Sequence, residues 1–149
     1  MKHQELPVIG WREWIVLPEI GITRIKAKID TGARSSALHA FDIKTFEIDG
    51  KPMVNFKVNP KQRDTNLIVI AEAELIDKRN IRSSSGEAEL RPVILTEVNL
   101  MNKKWTIELT LTNREFMGFR MLLGRQAVQK NFLINPSKFN KVADHVFLP

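Results

Sequence analysis

The chain has 149 residues, 43% of them hydrophobic, so it can bury a core, and we expect one domain over residues 1–149 with its core at about residues 9–136. It has no cysteine, which excludes disulfides, thiolate metal ligands and a cysteine nucleophile. Lys and Arg outnumber Asp and Glu by 23 to 17, a net charge of +6 that suits an anionic partner, although the count alone indicates no more than solubility.

Alternation of apolar and polar residues, interrupted by turn residues, predicts a succession of β-strands. The predicted strands are residues 11–17, 22–29, 37–48, 53–58, 67–76, 76–81, 89–95, 93–101, 105–111 and 132–134. Turns are predicted at 18–21, 49–50 and 102–104, and an exposed loop at 59–66. The one convincing helix is short, at residues 125–130, so the sequence predicts a mostly β protein.

The amino terminus lacks an apolar signal core, and no stretch of the sequence approaches the length of a membrane span. We therefore expect a soluble, cytoplasmic protein with no membrane partner.

The candidate functional residue is Asp30, at the end of a strand in which apolar residues alternate with lysines. Gly32 permits a sharp turn whose backbone N–H groups can point at the Asp30 carboxylate, with the Thr31 hydroxyl as a further partner. A carboxylate at a rigid turn backed by apolar residues suits acid–base chemistry.

Two motifs resemble those of aspartic proteases. Residues 30–33, Asp-Thr-Gly-Ala, resemble the active-site loop in which two aspartates share a proton and activate a water. Residues 121–125, Met-Leu-Leu-Gly-Arg, are similar to the retropepsin motif that packs beneath that loop. The resemblance implies that the site is supported by Ala33, Leu123, Gly124 and Arg125.

Four blocks in the right order resemble the RimK-associated family, which was labelled "ATP-dependent zinc protease" but is retropepsin-like. They are IGWREW from residue 9, AKIDTGARSSALHA from 27, RNIRSSSGEAELRP from 79 and MGFRMLLGRQA from 117. The resemblance implies an all-β, retropepsin-like closed barrel lobe with one short helix, and an aspartic endopeptidase.

In that family, catalysis needs two carboxylates, and this chain contains one Asp-Thr-Gly. The second Asp30 must then come from a second copy, so a homodimer is implied, with Thr31 and Gly32 holding each carboxylate. Residues 82–89 are expected to form a flap over the peptide, with its tip at Ser84, Ser85 and Gly86.

The expected substrate is an acidic peptide. Arg34 stands where viral retropepsins usually have an acidic residue, and Arg79, Arg82 and Arg91 surround the predicted flap. Members of the resembled family lie beside RimK-type ligases that add glutamates to a ribosomal protein, which implies trimming of glutamate-rich tails. For Arg125 we expect a buried structural salt bridge.

Two alternatives stay open. The first is a binding module of the same fold that holds an acidic peptide without cleaving it; RNA is a less favoured ligand because no stacking aromatic residues lie among the basic ones. The second is a zinc hydrolase with His39, Asp30 and Glu87 as ligands, but no H-E-x-x-H occurs and His39 is better explained as hydrogen-bonded in the scaffold. We therefore expect no metal or cofactor, and without a phosphate-binding loop any use of ATP belongs to a partner.

Overall fold

Most of the described residues lie in β-strands. The computed structural model describes residues 6–61, 66–82, 85–116 and 118–138. The strands are β1 (Val8–Ile9), β2 (Arg12–Leu17), β3 (Ile22–Asp30), β4 (Ser36–His39), β5 (Phe41–Ile48), β6 (Lys51–Val58), β7 (Val69–Glu74), β8 (Asp77–Arg82), β9 (Ala88–Leu100), β10 (Lys103–Thr112), β11 (Met121–Gly124) and β12 (Leu133–Ile134). Helical structure in the described residues is a 3-10 turn at Pro18–Ile20 and one short helix, α1 (Arg125–Val128), which confirms the all-β prediction.

A closed barrel forms the centre of the molecule. Its six strands are ordered β10–β4–β11–β3–β2–β9, and β9 pairs back with β10 to close it. The alternating inward residues fill the interior, where Ile15, Ile25, Leu38, Leu109 and Met121 are fully buried. The predicted retropepsin-like barrel is confirmed, and β8 extends it by pairing with the first half of β9.

A second, three-stranded sheet is formed by β5, β6 and β7. The predicted hairpin between β5 and β6 is confirmed, since Asp49 and Gly50 both have positive φ values, 51° and 79°, as this two-residue turn requires. Val54, Phe56 and Val58 on β6 are fully buried in the common core.

Several boundary predictions were wrong. The stretch 37–48 is two strands, because β4 pairs with β10 and β11 whereas β5 pairs with β6 in the other sheet. The stretches 89–95 and 93–101 are one continuous strand, β9. The turn predicted at 102–104 instead consists of Met101 and Asn102, which have positive φ values of 49° and 65°. Strand β10 therefore starts at Lys103, which pairs with Leu100.

The helix predicted at 125–130 is shorter, because the backbone leaves helical geometry at Gln129, whose ψ is 143°, and Lys130 follows with a positive φ of 71°. Residues 62–65 of the predicted exposed loop lie outside the described residues, as do Ser83 and Ser84 at the flap tip. No helix in the described ranges is long and apolar enough to cross a membrane.

Candidate active site

The Asp30 carboxylate stands at the end of β3, where the strand turns into the Thr31–Gly32 loop. Ile29 faces the core, so Asp30 faces the opposite way and stays half-buried. The Gly32 N–H donates to Asp30 Oδ1 at 3.0 Å, which confirms the expected bond from the turn. A Cβ at Gly32 would lie 3.2 Å from that oxygen, so glycine permits this close approach.

The second motif packs directly against this loop. Strand β11 runs parallel to β3, with Leu123 beside Ile29 and Gly124 beside Asp30. The N–H of Arg125 donates to the Ala33 carbonyl at 2.7 Å, and the N–H of Gln126 donates to the Arg34 carbonyl at 3.1 Å. The structure thus brings together the four residues expected to support the site: Ala33, Leu123, Gly124 and Arg125.

Gly124 is required by space. A Cβ there would lie 2.5 Å from the Ser35 carbonyl oxygen and 3.0 Å from that of Ala33, and backbone atoms cannot move aside cheaply. The Gly124 N–H donates to Ser36 Oγ at 3.0 Å, and Ser36 is buried. Ser36 is a supporting residue for which the sequence offered no signal.

Arg125 does not form the buried salt bridge that we expected. Its side chain is exposed, and Nη1 donates to the Thr31 carbonyl at 3.0 Å. The reason is its position at the start of α1, next to the loop, where a backbone oxygen is within reach. Arg125 therefore ties the second motif to the Asp-Thr-Gly turn.

Asp30 opens onto a groove with a volume of about 1320 Å³. One side is formed by the loop after Asp30, and the others include residues 79–82 of β8 and 105–108 of β10. The basic side chains that line it are Lys28, Arg34, Arg79, Arg82, Arg91 and Arg114. Three acidic residues, Asp30, Glu108 and Glu115, share the lining, so the described part of the groove has an excess of positive charge.

Of these basic residues, sequence reasoning missed Lys28 and Arg114. Lys28 had a usable signal, because the alternation along β3 places it on the same face as Asp30. Arg114 had none, since it follows the end of β10 in a loop.

Arg79, which we expected to contact substrate, lines the groove and also bonds to two carboxylates of the protein. Its Nε donates to Asp77 Oδ2 at 2.8 Å, and its Nη1 donates to Glu108 on β10. The hydrogen bond to Glu108, and then that to Asp77, raises the pKa of Arg79 above its usual range. With its charge paired twice, Arg79 links β8 to β10 across the groove.

Arg91 is the unusual cation of the groove. Only 5% of its surface is exposed, whereas its neighbour Leu90 is 58% exposed. A charged arginine is usually exposed and an apolar leucine usually buried, so this arrangement is the reverse of the common one. Its Nε is buried with no hydrogen-bond partner among the described residues, and the nearest carboxylate, that of Glu89, is 3.8 Å away. Burial lowers the pKa of Arg91; Glu89 opposes this shift and Arg114 adds to it.

The predicted flap arms are present as the β8–β9 hairpin, in which Arg82 pairs with Ala88. Arg82 Nη1 donates to the Gly86 carbonyl at 3.1 Å, and Gly86 has a positive φ of 88°. Ser85 is exposed, and Ser84 lies outside the described residues.

Residues 8–144 match the model of a family described as "RimB-like: Retropepsin-like aspartic endopeptidase RimB". The chain belongs to this RimB-like family. The expected family resemblance is therefore confirmed over almost the whole chain.

Curated relatives of this RimB-like chain carry a different name. Proteins of Desulfotalea psychrophila and Shewanella pealeana, 48% and 45% identical over 130 and 131 residues, are named "Probable alpha-L-glutamate ligase". The matches cover 87% and 88% of this chain but only 28% and 29% of those proteins, so it spans less than a third of their length.

A solved structure has the same fold. It is a Legionella pneumophila protein described as being of unknown function, with a TM-score of 0.77 and 30% identity. The similarity covers 92% of the RimB-like chain and 98% of the Legionella chain.

His39 is hydrogen-bonded in the scaffold, as expected. Arg120 Nη1 donates to His39 Nδ1 at 3.1 Å, and because a guanidinium only donates, His39 Nε2 carries the proton that bonds Asn113 Oδ1 at 3.0 Å. In the described part of the RimB-like chain, no three His, Asp or Glu side chains are grouped closely enough to hold a metal ion.

Proposed function

We propose that this chain is an aspartic endopeptidase in which the Asp30 carboxylates of two copies share one proton and activate a water. The supporting observation is the position of Asp30 on the groove, with Oδ1 accepting from Gly32 and the loop held by β11 and α1. One copy supplies one Asp-Thr-Gly, so the second carboxylate is assigned to a symmetry-related copy.

In this mechanism, one carboxylate is ionised and accepts a proton from the water as it attacks the peptide carbonyl. The other is protonated and donates its proton to the carbonyl oxygen. Two adjacent carboxylates cannot both ionise easily, which keeps one proton in the pair. The Gly32 N–H and the bond from Arg125 to the Thr31 carbonyl hold the turn so that the carboxylate faces the groove.

We assign glutamate-rich peptides as the substrate class. The excess of cations along the groove supports this assignment, with Arg34 beside Asp30 and the buried Arg91 foremost. The relatives' name adds support, because it is that of enzymes that handle glutamate. We assign the ligase activity of those longer proteins to the part that this chain does not match. We therefore also propose a functional link between this chain and a RimK-type ligase.

The test is the Asp30→Asn variant, which is nearly isosteric but cannot share the proton. The kcat on a glutamate-rich peptide should fall by at least about 100-fold, with thermal unfolding and sedimentation unchanged. The matched control is Asp42→Asn, which removes an exposed carboxylate paired with Lys57 at 3.0 Å on the other sheet. EDTA should leave the wild-type rate unchanged, because the carboxylates activate the water.

Full activity in Asp30→Asn would end the aspartic mechanism. Binding of the peptide by wild type without any cleavage would instead favour the non-catalytic acidic-peptide module.

A further inference from the structure

The outer face of β3 bears a line of positive charge that leads to Asp30. Along this strand Ile25, Ala27 and Ile29 are buried, so the intervening residues face outward. These are Arg24, Lys26 and Lys28, followed by Asp30 at the strand end. We call Arg24, Lys26 and Lys28 the basic track. Residues two apart on a strand are separated by about 6.6–6.8 Å, so the track covers about 13 Å and continues to Asp30.

The far end of the track lies in a second groove, of about 750 Å³. It is lined by Trp11, Arg12, Trp14, Arg24, Lys26, Pro60, Lys61, Glu115, Gly118 and Phe119. Glu115 also lines the active-site groove, and Lys28 in that groove is two residues from Lys26 in this one. The two grooves are therefore neighbours along one face of β3.

The second groove is strongly basic. Among the described residues, its lining contains four cations, Arg12, Arg24, Lys26 and Lys61, and one acid, Glu115. The pairing of β2 with β3 concentrates the positive charge further, because it places Arg12 on β2 opposite Lys28 on β3. A ligand with several negative charges fits such a surface better than a neutral one.

The tryptophans of this groove hold the cations. The Arg24 guanidinium lies 4.0 Å and Lys26 Nζ 4.5 Å from the centre of the Trp14 ring, and Arg12 lies 4.9 Å from that of Trp11. Trp11 also makes an edge contact with Phe119. The faces of these tryptophan rings are covered by cations, so the rings are poorly suited to stacking on nucleic-acid bases. An acidic peptide is therefore a better ligand for this groove than a nucleic acid.

We propose that the basic track and the second groove form an exosite for the part of a glutamate-rich peptide that extends beyond the active-site groove. In an extended peptide, alternate side chains lie on one side with the same two-residue repeat as the track. Glutamates at every second position can therefore face Lys28, Lys26 and Arg24 in turn. The exosite rests on the proposed function for the role of the bound peptide, but its binding is measurable without cleavage.

Tryptophan fluorescence separates the two grooves. Trp105 lines the active-site groove, whereas Trp11 and Trp14 line the second one. In a Trp105→Phe background, the remaining signal therefore reports on the exosite. A peptide of about twelve glutamates, about 40 Å long when extended, should change this signal with a midpoint that rises with salt. The matched glutamine peptide should not.

The variant Arg24→Gln/Lys26→Gln should raise the midpoint of that titration by about 3- to 10-fold, because two surface ion pairs are lost. The control is Lys44→Gln/Lys51→Gln, which removes the same amount of charge from the three-stranded sheet. Neither of these lysines lines either groove. Thermal unfolding checks both variants, and Lys26→Gln alone replaces the double variant if that one does not fold.

Hydrolysis gives the second readout. The ratio of kcat/KM for the long peptide to that for one of about five glutamates should fall by a similar 3- to 10-fold in the double variant. Equal midpoints for parent and double variant, or for glutamate and glutamine peptides, would overturn the exosite. So would tighter binding of a single-stranded RNA of matched charge. A fluorescence response without any hydrolysis would leave the exosite standing and overturn the proposed function, and hydrolysis with an unchanged ratio would do the reverse.

Discussion

At the level of single residues, Arg91 is the buried cation of the active-site groove. Its guanidinium is almost fully buried at the groove, yet its Nε has no hydrogen-bond partner in the described residues and Glu89 is 3.8 Å away. A buried charge with incomplete pairing is usually unfavourable compared with an apolar side chain of similar size. Its presence at a groove that already has excess positive charge is consistent with the proposed recognition of an acidic substrate.

We therefore expect Arg91→Met to leave the free energy of unfolding unchanged or to raise it, by about 0–2 kcal/mol, since methionine fills similar space without a charge. The same variant should lose most of the preference for glutamate over glutamine peptides. Urea unfolding measures the first effect, and kcat/KM for the paired peptides measures the second. A destabilised variant that keeps its glutamate preference would show that Arg91 is structural.

Arg79 would be a poor site for the same experiment. Its bonds to Asp77 and Glu108 already satisfy its charge, so its removal would disturb the link between β8 and β10.

At the level of elements, the site depends on how β11 and α1 meet the loop between β3 and β4. The backbone N–H groups of Gly124, Arg125 and Gln126 donate to Ser36 at the start of β4 and to Ala33 and Arg34 in the loop, respectively. The Arg125 side chain adds a fourth bond, to the Thr31 carbonyl. The parallel pairing of β11 with β3 sets this contact, because it places Gly124 beside Asp30.

Gly124→Ala should destabilise the protein by about 1–3 kcal/mol, because the new Cβ would overlap the Ser35 carbonyl. Gly124 has a φ of −87°, which alanine adopts freely, so the loss would come from the overlap alone. Thermal unfolding measures this destabilisation as a fall in the melting temperature. Gly50→Ala is the contrasting variant, since its Cβ would meet nothing within 4 Å and only its φ of 79° is unfavourable.

If Gly124→Ala proved as stable as wild type, the close approach of β11 to the loop would not hold in solution. If it were destabilised but as active as wild type below its melting temperature, the contact would matter for folding and not for the geometry of Asp30.

At the level of the whole molecule, the proposed mechanism makes two copies one catalytic unit. The groove of one copy contains a single Asp-Thr-Gly turn, and its cations would be doubled around a shared cleft.

Mixed dimers test this directly. When wild-type and Asp30→Asn chains are co-expressed in equal amounts, random pairing leaves about one quarter of the dimers with two Asp30 residues. Activity per total protein should therefore fall to about one quarter of the wild-type value. Co-expression with Asp42→Asn should leave it unchanged. One half of the activity would mean that each copy acts alone.

Some features of this protein were determined by the sequence itself. The two-residue alternation predicted most strands and placed Lys28 on the face of Asp30, because side-chain direction in a strand depends only on position. The Gly32 bond to Asp30 and the Asp49-Gly50 hairpin were predictable for a similar reason, since turn geometry is set by neighbouring residues.

Only the tertiary structure decided the state of the arginines. Arg79 meets Glu108, Arg91 is buried beneath the groove, and Arg125 reaches the Thr31 carbonyl, 94 residues away in sequence. The charge pattern showed that these residues were basic, but not whether each would be paired, buried or exposed. Those outcomes depend on which strands the barrel brings side by side, because a charge is stabilised or left unsatisfied by groups that are distant along the chain.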